Sequence, residues 1–161
     1  MTTFTVKKEN EHITLDHSDE YRIEIVAEGV QVKIVGAFAT HEKEQIDIHL
    51  TIVHKAAHTR ANTILKGAAF DNSSIRFFGR IIIEPNCPDT QSFLEERVLV
   101  LSDKAKAETV PELEIKTDDV KCSHAASISR IPQEHLFYLQ SRGIPKAKAE
   151  EMIVEGFLKL E

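Results

Sequence analysis

Most of the chain alternates apolar and polar residues with a period of two, the pattern of strands buried on one face. In YRIEIVAEG and VQVKIVGAF nearly every second residue is apolar. From Gln45 onward, Ile46, Ile48, Leu50 and Ile52 share one face, and Asp47, His49 and Thr51 share the other. Ile75, Phe77, Gly79, Ile81 and Ile83 have one parity, while Phe78 and Ile82 join Arg76 and Arg80 opposite, so this strand is expected to pack on both sides. Short strands are predicted near residues 46–53, 61–69, 75–84, 96–101, 112–117 and 119–128, with breaks at Gly67, Asp71-Asn72, Pro85-Asn86 and Ser102-Asp103. That spacing suits either a sandwich or a stack of parallel β coils. No six-residue apolar motif repeats, which disfavours a regular hexapeptide β-helix and leaves open a solenoid of unequal coils.

The pattern changes at Ile131-Pro132. Proline suits the first turn of a helix, and residues 133–141 then read as a short helix with Leu136 and Leu139 inward and Phe137 as a third candidate. Gly143 suits its C-terminal stop. After Pro145, the residues Ala149, Met152, Ile153, Gly156, Phe157 and Leu160 form the apolar stripe of an amphipathic helix, opposite Lys146, Lys148, Glu150, Glu151 and Glu155. No linker separates the two parts. The expected organisation is a β core over residues 1–130, including an N-terminal β cap, followed by a helical hairpin over residues 131–161.

Composition narrows the function. The 161 residues carry 20 Lys and Arg against 26 Asp and Glu, a net charge of −6, with no basic block, which speaks against nucleic-acid binding. No stretch approaches the roughly 18 uncharged apolar residues of a membrane span, and the N-terminus has no apolar signal region. The two cysteines, Cys87 and Cys122, form no CxxC pair, so a reducing cytoplasm is the simpler setting.

Two groups of residues carry candidate chemistry. His49, His54 and His58 lie close in sequence, but His49 and His54 have opposite strand parity and residues 55–57 read as a turn. Solvated polar-face histidines are the better reading, with a small metal-dependent β-barrel (cupin-like) enzyme as the alternative. In VKCSHAA, Cys122 and His124 share one face of an extended strand, about 7 Å apart at Cα. Taken alone, they fit a small buried Cys beside a hydrogen-bonded His, or a soft-metal or iron–sulfur site that another surface closes. There is no GxSxG and no glycine-rich phosphate loop opening a helix, so hydrolase and nucleotide-binding readings are weak.

From His58 to Phe157 the chain resembles the C-terminal part of the SufB/SufD family, the scaffold subunits of SUF iron–sulfur cluster assembly, and SufD more closely. The resemblance is carried by PELEIKTDDVKCSHAASIS (residues 111–129), LFYLQSRGI (136–144) and the stretch from Ala149 to Phe157 that ends in EGF. Upstream, HTRANTILKGAAFDNSSIRFFGRIIIEP is similar to the family in its histidine and threonine, its lysine–glycine turn and its FxG-like step.

The resemblance implies a right-handed parallel β-helix with a C-terminal helical segment. It implies a non-enzymatic scaffold whose helices dock a SufC-like ABC-type ATPase and whose β-helix pairs with a SufB-like or identical subunit in a dimer. His124, with Cys122 beside it, would face an interface cluster site, and no cofactor would be tightly bound to the isolated chain. Phe137, Tyr138, Arg142 and Gly143 would form the ATPase surface. Family members are much longer, and Ala125-Ala126 stands where a glutamate often follows the histidine in SufB.

Overall fold

The computed structural model describes residues 1–160. Ten strands run in order as β1 (Thr2–Val6), β2 (Glu11–Leu15), β3 (Asp19–Ile25), β4 (Gln31–Thr40), β5 (Gln45–His54), β6 (Arg60–Ala69), β7 (Ser74–Ile83), β8 (Thr90–Val100), β9 (Lys106–Ile115) and β10 (Val120–Ser129). Helices α1 (Gln133–Ser141) and α2 (Lys146–Leu158) follow. Odd strands stack as one five-stranded sheet, β1-β3-β5-β7-β9, and even strands as another, β10-β8-β6-β4-β2. Every described pairing is parallel. The chain is therefore a β-solenoid in which each coil gives one strand to each sheet.

The coils are unequal, as the missing short repeat suggests. Thr2 pairs with Tyr21 and Glu11 with Val32 in the narrow first coil, whereas Gln45 pairs with Ser74, Arg60 with Gln91 and Ser74 with Lys106. The period-two pattern sends Ile48, Leu50, Ile52, Ile75, Phe77, Ile81 and Ile83 inward from the odd sheet. Leu65, Leu94 and Val98 meet them from the even sheet. As expected, β7 also has Phe78 and Ile82 partly covered on its other face.

Sharp corners join the sheets. Gly29, His58, Asp89 and Asp119 all have φ between 51° and 73° and stand just before β4, β6, β8 and β10. The corners bond to each other: the Gly29 amide donates to Ala57 O, His58 to Pro88 O and Asp89 to Asp119 O. Asp tolerates this left-handed conformation better than bulky residues do, and Gly pays no Cβ penalty there.

Three readings of the sequence need correction. Gly67 is an interior residue of β6, buried where a side chain would meet Ile75 and Phe77, so it marks close sheet-to-sheet approach, not a break. Strands β8 and β9 begin at Thr90 and Lys106, well before residues 96 and 112, because pairing along the stack holds polar stretches extended. In α2 the buried face holds Ala149 and Val154 with Ile153, Phe157 and Leu158, while Met152 and Gly156 are exposed.

The hairpin packs on the outer face of the even sheet. Leu136, Ala149 and Val154 cluster with Ala68 and Leu99, and Lys66 Nζ donates to Lys159 O at 2.9 Å. Arg97 stands 5.4 Å from the Phe157 ring. The helices thus cover a side of the solenoid and leave its β9–β10 end open.

Candidate functional site

The open end carries the inner side chains of the last coil. Ala107, Thr109, Pro111, Leu113 and Ile115 follow the inward positions of β7, since Ile75, Phe77, Gly79, Ile81 and Ile83 are their register partners. On β10 the inward residues are Val120, Cys122, His124, Ala126 and Ile128, paired with Thr90, Ser92, Leu94, Glu96 and Val98. All five of those β8 partners are buried. The last strands have no further coil above them, so Leu113 and Ile115 of β9 are 39% and 45% exposed and Ile128 of β10 is 47% exposed.

Cys122 and His124 therefore share one inner face, as strand parity requires. Cys122 is half-buried against the core and its thiol pKa is raised by burial. It also forms the end of a groove of about 730 Å³ that crosses the starts of the even strands beside Arg60, Phe93 and Lys121. His124 is exposed at the mouth of the solenoid. It is neither a core residue nor sequestered by this chain. Among the described residues no three His, Cys, Asp or Glu side chains come together in a way that could hold a metal ion.

Sequence reasoning missed a polar group just inside this mouth. Glu96 is fully buried, with neither carboxyl oxygen hydrogen-bonded among the described residues. Burial pushes its pKa up to about 7. Its carboxyl lies across the lumen against Gly79, where a Cβ would stand 2.5 Å from Oε1, so the glycine makes its room. Ser92, below Cys122, has a buried hydroxyl that is also unpartnered. Parity gave only an ambiguous signal, because Glu95 and Glu96 are adjacent and both faces of β8 mix polar and apolar residues, Ser92, Leu94 and Val98 on one and Phe93, Arg97 and Leu99 on the other.

The three clustered histidines do not converge, and the barrel-enzyme alternative falls with the solenoid fold. His49 lies outside the odd sheet, stacked on Phe78 at 4.5 Å. His54 is buried, contrary to a solvated reading, with Nδ1 2.8 Å from Thr59 Oγ1 and its pKa lowered by burial to about 4. His58 sits at a corner with Nδ1 3.0 Å from an Asp89 carboxylate oxygen, a hydrogen bond that raises its pKa. Cys87 is buried in the same region, its thiol facing His54 O at 3.7 Å.

On α1 and the turn after it, the residues expected at a partner surface are exposed. Phe137 is 73% exposed, which corrects its assignment as an inward candidate, and Tyr138 is 56% exposed. The Arg142 guanidinium lies 5.1 Å from the Tyr138 ring. Gly143, at φ 82°, closes the helix with its amide donating to Gln140 O. The result is an exposed aromatic and cationic knob on a helix whose other face is anchored by Leu136. No helix among the described residues is long and apolar enough to cross a membrane.

Residues 16–157 match the family described as SUF system FeS cluster assembly, SufBD core domain. An iron–sulfur cluster assembly SufBD family protein of Mycobacterium tuberculosis is 32% identical over 137 residues, covering 80% of this chain and 34% of that protein. The iron–sulfur cluster assembly protein SufD of Bacillus subtilis is 39% identical over 107 residues, 66% of this chain and 24% of its own length. A SufBD family protein of Synechocystis is 35% identical over 111 residues, 69% and 24%. The chain spans about a third or less of these relatives. The match begins well upstream of His58, taking in β3 to α2, so the coils that carry Glu96, Cys122 and His124 lie wholly within it. The parallel coils, the C-terminal hairpin and this match together place the chain in the SufB/SufD family of the SUF iron–sulfur cluster assembly system.

Proposed function

We propose that this chain is a cytoplasmic, non-enzymatic scaffold that supplies half of an interface site on which iron–sulfur clusters are built. The observation that carries the reading is the placement of His124 and Cys122 on the inner face of β10, at the uncovered end of the solenoid. Two donors are too few for a stable four-ligand site, so the remaining ligands come from a second SufB-like or identical chain pairing over that end. The cluster is cargo: the isolated chain is colourless and holds none. An ABC-type ATPase docks on α1 and supplies the work of opening or loading the seam.

His124→Ala tests this in the reconstituted assembly. Cluster formation, followed by visible absorbance under anaerobic conditions, should fall at least about tenfold, because an imidazole can bind iron or carry a proton and a methyl cannot. The exposed position of His124 predicts an unchanged melting temperature and an unchanged ATPase contact. Parental cluster formation by the folded variant would remove His124 from the site.

The ATPase contact has its own test. Phe137→Ala and Tyr138→Ala should each cost about 2 kcal/mol of binding, roughly 30-fold in Kd, as central aromatic anchors do. Their exposure means that neither change should lower stability appreciably. Titration calorimetry with the purified ATPase measures the loss, and unchanged affinity in both variants would place the docking surface elsewhere.

A further inference from the structure

The outer face of the even sheet is only half covered. The hairpin lies over Ala68 and Leu99, near the ends of β6 and β8, and leaves the starts of the even strands open. There the groove of about 730 Å³ runs along the solenoid axis between two ladders of outward side chains. One ladder is Gln31, Arg60, Gln91 and Lys121, which are register neighbours from β4 to β10. The other is Lys33, Asn62, Phe93 and Ser123, two residues further along each strand. Between them Val32, Ala61, Ser92 and Cys122 turn their side chains inward, so the floor of this trough is backbone.

Charge decides what the trough accepts. The chain carries a net charge of −6, yet Lys33, Arg60 and Lys121 all line it, and Glu11 is the only acid among its described lining residues. The acids around it are already engaged. Glu11 accepts from the Lys7 and Lys8 amides at 2.9 and 2.8 Å, and Asp89, on which Arg60 and Lys121 act through space, holds His58 at 3.0 Å. Arg60 and Lys121 are exposed and form no ion pair or side-chain hydrogen bond among the described residues. Phe93, 38% exposed, adds an apolar face to the opposite wall. The amides of Gln31, Asn62 and Gln91 can both donate to and accept from a peptide backbone. A row of cations and amides beside one aromatic ring suits an extended anionic peptide.

Spacing selects the conformation of that peptide. Arg60 and Lys121 flank Gln91 on the same wall, two strand spacings or about 9.6 Å apart at Cα. A polyproline II segment has three residues per turn and rises about 3.1 Å per residue, so its side chains at i and i+3 point the same way about 9.3 Å apart. A β-strand offers same-side neighbours only at about 6.7 or 13 Å. We propose that the trough docks an acidic segment of another protein in polyproline II conformation, with carboxylates three residues apart on Arg60 and Lys121 and a proline or apolar side chain on Phe93. This site lies on the outer face of the even sheet and does not depend on the seam or on the ATPase contact.

Fluorescence anisotropy on the full chain, with a labelled peptide of four Glu-Pro-Pro repeats, tests this. The parent should bind it with a Kd of about 100 μM or tighter. Arg60→Glu and Lys121→Glu together should weaken binding at least tenfold, and Phe93→Ala at least threefold. All three positions are exposed, so the melting temperature should stay at the parental value. The doubly charge-reversed chain should in turn bind a Lys-Pro-Pro peptide more tightly than the parent does, which shows that its trough is still folded. A peptide of the same composition with its glutamates in adjacent pairs has no carboxylates three residues apart and should bind severalfold more weakly. No binding of the Glu-Pro-Pro peptide by the parent, or equal binding by the charge-reversed chain, would overturn the proposal. Equal affinity for the paired-glutamate peptide would overturn the polyproline II match on which it stands. An oligothymidylate of equal length that binds as tightly would make the trough a site for any polyanion and overturn the peptide as its occupant.

Discussion

Replacing Glu96 with Leu should stabilise the chain at pH 8 by about 3 kcal/mol and change the shape of its stability–pH curve. Burial raises the Glu96 pKa from 4.5 to about 7, a difference worth about 3 kcal/mol at 1.36 kcal/mol per unit. The folded state holds this proton more tightly than the unfolded state. Stability is therefore complete below pH 4.5, falls as pH rises through the window up to about 7, and is lowered by the full amount above it. His54 acts in the opposite sense, because burial lowers its pKa from 6.5 to about 4 and folding is favoured as pH rises across that interval.

In the parent the two slopes oppose each other between pH 4.5 and 6.5, giving a plateau with stability falling on both sides. In Glu96→Leu only the His54 slope remains, so stability climbs from pH 4 to 6.5 and then stays level. At this chain length the gain at pH 8 corresponds to about 6–12 °C in Tm. Melting followed by circular dichroism from pH 4 to 8 checks it. Parallel curves for parent and variant would show that Glu96 is not held above its ordinary range.

The mainly parallel β body and the hairpin were legible because they depend on local signals: period two along the strands, Pro132 and Pro145 ahead of the helices, and Gly143 behind the first. What failed depended on neighbours far along the chain. The start of β8, TQSFLE, has little strand character of its own and is extended because β6 and β10 flank it. Phe137 looked inward because apolar side chains usually are, but the hairpin rests on the even sheet through Leu136, and that contact fixes which face of α1 is hidden. The same limit governs the site. Cys122 and His124 share a face by parity alone, whereas Glu96 comes beneath their strand only through the offset between successive coils, which pairs it with Ala126. The parities of a single strand pair cannot supply that offset.

That offset also determines which surface is left to a second chain. The end of the solenoid presents Leu113, Ile115 and Ile128 at 39%, 45% and 47% exposure, around the mouth that holds Cys122 and His124. Natural solenoids cover such ends, and the hairpin here lies against the even sheet instead. Pro111 interrupts the hydrogen-bonding row of β9 with a residue that has no N–H, so β9 is a poor template for another strand and β10 carries the better edge. Pairing should then be isologous about a two-fold axis, with β10 edges near the axis and the apolar end residues buried around them. The parent chain is expected to be a dimer in light scattering at micromolar concentration. Ile115→Asp with Ile128→Asp should convert it to a monomer, because each charge would have to be buried without a partner, and a combined cost near 3 kcal/mol weakens association at least about 100-fold. The melting temperature extrapolated to low concentration should scarcely move, since both positions are nearly half exposed in the single chain. A monomeric parent would rule out self-pairing and assign the end to a different scaffold subunit. If that mixed complex also survived both aspartates, the partner would have to sit elsewhere, and His124 would face solvent without the second set of ligands proposed for it.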